Sequence, residues 1–126
     1  MKLLMLATAG GALGSAARYL VIDGMNRAYG TRFPWGTFTV NVAGSFFMGV
    51  LADLILRKFG GSAEMRVFLA TGILGGFTTF SAFSADVSNL IGRGDSSTAI
   101  GYIMASVAIS LAALYAGVAL SKALFS

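Results

Sequence analysis

A run of glycines, hydroxyls and aromatic rings interrupts an otherwise apolar stretch of this sequence. It reads Gly75-Gly76-Phe77-Thr78-Thr79-Phe80-Ser81-Ala82-Phe83-Ser84. Adjacent glycines weaken a helix, and hydroxyls offer its backbone competing hydrogen-bond partners. Irregular backbone at membrane depth is tolerated only where it is buried in protein or lines a wet cavity. The run therefore predicts a helix broken near residues 75–79, at the working centre of a channel or transporter.

Two further segments carry polar side chains at the spacing of a single helix face. They are Thr37, Asn41 and Ser45 in one segment, and Tyr102, Ser106 and Ser110 in the other. Buried polar groups in a membrane either join helices or mark a solute path. A hydroxyl can instead bond to the carbonyl one turn before it, so both interpretations stay open for these residues. The Asn41 amide cannot be satisfied in that way, which favours a functional or interhelical role.

Phe80 and Phe83 are three residues apart and share a helix face. Core packing would explain such a pair. A phenyl ring also has a positively polarised edge that can face an anion. Together with Asn41 and the hydroxyls, these rings would form an uncharged lining that attracts an ion without trapping it. No general base or nucleophile stands in a catalytic arrangement, so we predict no enzyme.

Three charged residues fall inside the apolar segments. Arg18 lies about one turn from the end of its segment, where it would either snorkel to the interface or attract anions into a vestibule. Asp86 is deep enough to need water or a partner. Asp53 lies nearer the end of its segment, and we expect it to be solvated.

The composition is that of a membrane protein, so helices that span the membrane must position these groups. The 126 residues are 56% hydrophobic and 11% charged, with a mean hydropathy of +0.80, whereas soluble domains carry about 25% charged residues. Four stretches have the roughly 20 apolar residues that cross a bilayer as a helix: residues 3–22, 34–56, 67–92 and 98–121. We predict an all-α polytopic protein with one membrane domain over residues 1–126.

The absence of cysteine and histidine excludes thiol chemistry, disulfides and the usual transition-metal ligands. The basic residues lie mostly at the ends of the spans, so their expected partner is the lipid bilayer with its anionic headgroups, and no nucleic acid.

The distribution of Lys and Arg leaves the orientation open. One face would carry Lys2, Arg57, Lys58, Arg66 and Lys122, and the other Arg27, Arg32 and Arg93. This bias is small, so the chain inserts either in both directions or only with its N-terminus inside. A chain inserted both ways can pair with an inverted copy of itself. Small residues four apart, such as Gly10 and Gly14, predict close helix packing.

Three blocks of this sequence resemble the Fluc (CrcB) family of bacterial fluoride channels. The blocks are Gly10-x-x-x-Gly14-x-x-x-Arg18-Tyr19, Gly36-Thr37-Phe38-x-Val40-Asn41-x-x-Gly44-Ser45-Phe46, and the run from Gly75 to Ser84. The likeness covers nearly the whole chain. It implies four transmembrane helices per subunit with a broken third helix, in an antiparallel, dual-topology homodimer of the bacterial inner membrane. Two pores per dimer would export cytoplasmic fluoride passively and confer fluoride resistance.

The resemblance also implies roles for particular residues. Those of the fluoride path would be Thr37, Asn41, Phe80, Ser81, Phe83, Tyr102, Ser106 and Ser110, with Arg18 in a vestibule. The backbone carbonyls of Gly75 and Thr78 from both copies would hold a structural sodium ion at the dimer centre. The sequence departs from the family at Ala82, where Thr is usual, and this difference bears on the transport rate.

Other functions fit parts of the pattern. A proton-coupled multidrug exporter has similar size, span number and dual topology, but it needs a titratable carboxylate in its first span, where this chain has Arg18. A membrane scaffold would explain the glycines but not two polar stripes beside a broken helix. A membrane enzyme fits least.

Overall fold

The computed structural model describes residues 1–58 and 60–125, and within them every regular element is helical. The elements are α1 (Lys2–Tyr29), α2 (Trp35–Arg57), α3 (Ala63–Met65), a π-helical stretch (Arg66–Leu74), α4 (Gly75–Phe77), α5 (Phe80–Gly92) and α6 (Ser96–Phe125). We call the segment Ala63–Gly92 the third span. With α1, α2 and α6 it gives four segments long and apolar enough to cross a membrane. The predicted all-α class, with four segments capable of crossing a membrane, is confirmed.

Helix α1 continues beyond the end expected from hydropathy. Its 28 residues extend about 42 Å at roughly 1.5 Å per residue, which exceeds the hydrocarbon thickness of about 30 Å. Asp23 and Arg27, one turn apart, form an ion pair of 3.1 Å on the added part. The helix ends at Gly30, whose φ of +78° suits glycine.

Glycines bring α1 and the third span into backbone contact. A Cβ atom built on Gly10 would lie 2.9 Å from the Cα of Gly72, and one built on Gly76 would lie 2.6 Å from the Gly11 carbonyl oxygen. Helices α2 and α6 meet in the same way, since a Cβ on Gly117 would lie 3.1 Å from the carbonyl carbon of Phe46. The close packing predicted from the small residues is confirmed, and it sets the spacing of the helices around the site.

A buried carboxylate joins α2 to the far end of α6. Asp53 is 7% exposed, and it accepts hydrogen bonds from Arg57 Nε at 2.8 Å and from the Ser121 hydroxyl. Arg57 also donates to the Ser121 carbonyl at 3.3 Å. The expectation that Asp53 is solvated is therefore wrong, because a base on its own helix and a hydroxyl on α6 take the place of water.

Replacing Gly14 with alanine tests the packing of α1 on the third span. The new methyl group would fall on the Ile73 carbonyl, and such overpacking lowers the free energy of unfolding by about 1–3 kcal/mol. Gly24 on the same helix has no atom within 4 Å of its would-be Cβ, so Gly24→Ala should be neutral or stabilising. Thermal unfolding in detergent measures both variants, and equal losses would contradict the packing.

Candidate functional site

A cleft of about 390 Å³ lies between α2, the third span and α6. Five of the residues predicted for the ion path line it, namely Asn41, Phe80, Phe83, Ser106 and Ser110. Gly44, Ser45, Thr78 and Thr79 complete its polar and small-residue side, while Met48, Val107, Leu111 and Leu114 supply apolar wall. Two positions one turn apart on α6, Ser106 and Ser110, therefore face the same space as Asn41. No charged side chain is among these lining residues.

The third span has two extended residues beside this cleft. Thr78 has φ −87° and ψ 158°, and Thr79 has φ −153° and ψ 118°. Both the N–H and the hydroxyl of Thr78 donate to the Leu74 carbonyl at 3.0 Å, which completes the last turn before the change. We call Thr78 and Thr79 the interruption. It separates α4 from α5 and leaves backbone groups on each side that a continuous helix would have paired.

The Asn41 side chain binds the backbone of Thr79 through both of its polar atoms. Its Oδ1 accepts from the Thr79 N–H at 2.8 Å, and its Nδ2 donates to the Thr79 carbonyl at 3.1 Å. Because a donor faces an acceptor at each end, this pairing fixes the orientation of the amide. Nδ2 carries a second hydrogen that Thr79 does not use, and this hydrogen belongs to a residue that lines the cleft.

Thr79 also begins the next helix, a role that the sequence analysis missed. Its hydroxyl accepts from the Ala82 N–H at 3.1 Å, which satisfies a free donor in the first turn of α5. A threonine directly before an aromatic helical run was the available signal, since threonine is a favoured N-cap residue. Ser81 is exposed, with its hydroxyl 3.3 Å from that of Thr79, and lies outside the cleft lining.

These contacts divert donors from two particular carbonyls. In a continuous α-helix the Thr79 N–H would bond to the Gly75 carbonyl, and the Ala82 N–H to the Thr78 carbonyl. Here the first N–H donates to Asn41 and the second to the Thr79 hydroxyl. Gly75 and Thr78, the two residues that the resemblance assigned to a cation, thus have carbonyls released from their helical donors.

Aromatic rings form a line from the surface into the protein. Phe80 is 78% exposed, and its ring centre lies 5.3 Å from that of the buried Phe83. Phe83 in turn lies 5.1 Å from Tyr102, which meets the edge of Phe33 at 5.4 Å. The Tyr102 hydroxyl donates to Asp86 at 3.0 Å. Asp86 therefore has the partner that its depth requires, and Tyr102 stands beside the cleft rather than in its lining.

The hydroxyl of Ser106 has no hydrogen-bond partner within residues 1–58 and 60–125, although this residue is only 7% exposed. Thr78 and Ser84 donate their hydroxyls to the backbone carbonyl one turn before them. Ser106 does not make the corresponding hydrogen bond. Leaving a buried hydroxyl unpaired costs about 1–3 kcal/mol. Thr37 is also buried but does not line the cleft.

The Arg18 side chain reaches the third span. Its Nε donates to the Gly76 carbonyl at 2.9 Å, and the contact is partly buried. Arg18 is not among the residues that line the cleft. Both interpretations from the sequence, snorkelling to the interface and a place in an anion-attracting vestibule, stay predictions.

Four apolar segments long enough to cross a membrane, three of which line an uncharged cleft, define a polytopic helical membrane protein. Residues 5–118 match the family described as CrcB-like protein, Camphor Resistance (CrcB). The chain is 53% identical to the fluoride-specific ion channel FluC of Rhizobium meliloti (strain 1021) over 124 residues, covering 98% of this chain and 99% of that one. It is 54% identical over 121 residues to the protein of the same name from Chelativorans sp. (strain BNC1), covering 96% and 97%. The chain belongs to the CrcB family, and the resemblance found in its sequence is confirmed.

Replacing Asn41 with alanine tests the contact that holds Thr79. Both backbone groups of Thr79 would lose their partner, and we expect the free energy of unfolding to fall by about 2 kcal/mol. Ser45→Ala is the matched control, because Ser45 lies one turn further along α2 and lines the same cleft without binding Thr79. Chemical unfolding in detergent compares the two. Similar stabilities would mean that the Asn41 amide does not support the interruption.

Proposed function

We propose that this protein is a passive ion channel that carries fluoride out of the cytoplasm and so confers fluoride resistance. Relatives that match it over nearly their whole length are named fluoride-specific ion channels. The observation that carries the proposal is the hydroxyl of Ser106, which has no partner among the residues that the structure describes and is buried in a cleft with an uncharged lining. A polar ligand or a partly dehydrated ion would satisfy that hydroxyl, and nothing in the lining would hold the ion too tightly.

Fluoride is small and strongly hydrated, so the path must replace its water at each step. The second Nδ2 hydrogen of Asn41 and the hydroxyls of Ser106 and Ser110 are the donors that the cleft offers. The Phe80 and Phe83 rings also line the cleft, and the edges of such rings carry partial positive charge. An uncharged lining of this kind binds weakly enough for the ion to leave. The membrane potential supplies the outward drive, about 2.3 kcal/mol per charge for each 100 mV.

The remaining residues assigned to the path act around this cleft. Tyr102 carries the polar line of α6 one turn beyond Ser106 and is held by Asp86. Thr37 lies on the Asn41 face of α2, and Ser81 is exposed, next to Phe80 in the sequence. Ala82 lies outside the cleft lining, so the alanine at this position removes no hydroxyl from the lining itself.

The functional unit in this proposal is an antiparallel homodimer in the bacterial inner membrane, with two pores. Phe80 is a path residue, yet it is largely exposed in a single chain, and Gly75 beside the interruption is exposed as well. A second, inverted copy laid against the third span would cover both residues and close the open side of the cleft.

A structural sodium ion at the dimer centre fits the carbonyls that are released in the third span. Gly75 and Thr78 would contribute these oxygens, because their helical donors are bound by Asn41 and by the Thr79 hydroxyl. Freed carbonyls of broken membrane helices are suited to coordinate sodium. The ion would supply charge compensation for backbone oxygens of both copies and so stabilise their contact.

Fluoride efflux from proteoliposomes, followed with a fluoride electrode, tests the proposed function. The wild type should release fluoride and retain chloride. Phe80→Ile and Phe83→Ile keep an apolar side chain but lose the ring edge, and each should slow fluoride release by about tenfold or more. Phe125→Ile, at the end of α6 and away from the cleft, is the matched control and should conduct normally. Release of chloride together with fluoride, or of neither, would contradict the proposal.

Labelling of single cysteines tests the dual topology. The natural chain has no cysteine, so Ser97→Cys and Glu64→Cys each introduce one thiol, at opposite ends of the spans and without changing Lys or Arg. In intact spheroplasts, an impermeant maleimide should label about half of each variant if the chain inserts both ways. Complete labelling of one variant and none of the other would mean a single orientation.

A further inference from the structure

We infer that Arg18 is a positioning residue of the third span, which acts through the hydrogen bond from its Nε to the Gly76 carbonyl. The distance is 2.9 Å, and the two residues are 58 positions apart in the sequence. The bond joins α1 to the last turn before the interruption. Its function is to hold the backbone there, rather than to draw anions toward a pore.

The interruption explains why the Gly76 carbonyl needs this donor. In a continuous helix it would accept from the Phe80 N–H. With Thr78 and Thr79 extended, Phe80 begins a new helix and its N–H is no longer placed above Gly76. Water is scarce at membrane depth, so an unpaired carbonyl costs several kcal/mol. A guanidinium N–H is among the strongest donors available for such an oxygen.

Glycine contacts fix the position from which Arg18 reaches. A Cβ on Gly76 would lie 2.6 Å from the Gly11 carbonyl oxygen and 3.2 Å from the Ser15 nitrogen. A Cβ on Gly14 would lie 2.9 Å from the Phe77 nitrogen. Arg18 follows Gly14 by one turn on the same face of α1. Because the two backbones are already in contact at Gly14, the arginine stem spans only the remaining distance to the carbonyl.

Arg18 and Asn41, on two different helices, thus bind backbone groups just before the interruption and within it. Asn41 on α2 binds both backbone groups of Thr79, while Arg18 on α1 binds the carbonyl of Gly76. The bound carbonyl lies in sequence between those of Gly75 and Thr78, which the site leaves without helical donors. Arg18 is absent from the lining of the cleft, so an ion in the cleft does not meet its guanidinium directly.

Three substitutions separate the hydrogen bond from the charge. In Arg18→Gln, the amide nitrogen stands as many bonds from the backbone as the arginine Nε, so the donor remains and the charge is lost. In Arg18→Lys, a methylene group occupies that place, so the charge remains and the donor is displaced. Arg18→Met has similar length, with neither donor nor charge.

The readouts are fluoride efflux at low and high ionic strength and thermal unfolding in detergent. We expect Arg18→Gln to stay within about threefold of wild-type efflux and to unfold near the wild-type temperature, because the bond is kept. Arg18→Lys and Arg18→Met should lose about tenfold in efflux and unfold earlier, as the loss of a charge-assisted bond to a buried acceptor predicts. The deficits should not depend on salt, because screening acts on attraction at a distance and not on a partly buried bond.

The opposite pattern would overturn the inference. If Arg18→Lys matched the wild type while Arg18→Gln lost efflux, most strongly at low salt, the residue would act by attracting anions. Equal behaviour of all three variants and the wild type would also overturn it. If Arg18→Met fails to fold, the comparison of Arg18→Gln with Arg18→Lys still distinguishes the hydrogen bond from the charge. The efflux readout rests on the proposed function, whereas unfolding does not. A wild type that passes no fluoride would therefore refute the channel and leave the order of stabilities to test Arg18.

Discussion

Backbone hydrogen bonds inside a membrane must be satisfied by the protein itself, and the interruption in the third span sets the problem that the rest of this structure solves. Two extended residues, Thr78 and Thr79, free donors and acceptors on both sides. Three side chains bind these backbone groups. Two of them are distant in the sequence, and the third is the N-cap of α5. Asn41 comes from α2, Arg18 from α1, and the hydroxyl of Thr79 from the interruption itself.

The glycine contacts serve this arrangement. Helix α1 approaches the third span at Gly10 and Gly14 until the backbones touch, and α2 and α6 do the same at Gly49 and Gly117. Such contacts supply van der Waals packing where no hydrophobic force acts between helices. They also bring polar groups of three segments into one cleft without a charge in its lining, which is the property that the proposed conduction uses.

Much of the fold follows from the sequence, because length and hydropathy suffice to find four spanning helices. The need of Asn41 for a partner was also predictable, since an amide on an apolar helix cannot satisfy itself. Its partner, the Thr79 backbone, was not predictable, because it depends on how two spans align. Asp53 shows the same limit. A carboxylate near a helix end is expected to meet water. The hydroxyl that binds Asp53 instead belongs to Ser121, 68 residues away in the sequence. The partner of Arg18 was likewise not predictable, because the Gly76 carbonyl lies 58 residues away in the sequence.

The residues of the three matched motifs contact one another in the fold. Gly10 and Gly14 lie against the third span, Gly44 lies against Thr78, and Asn41 binds Thr79. Without an interruption in the third span, no single structural feature would connect these residues.

The central claim is that Thr78 and Thr79 are extended while the spans lie in a bilayer. Solid-state NMR of threonine-labelled protein in liposomes measures this directly, because the Cα and Cβ chemical shifts report backbone conformation. The account predicts extended-type shifts for both residues, set apart from the helical shifts of Thr37 and Thr71. Helical shifts at both positions would mean an unbroken third span and would contradict the account.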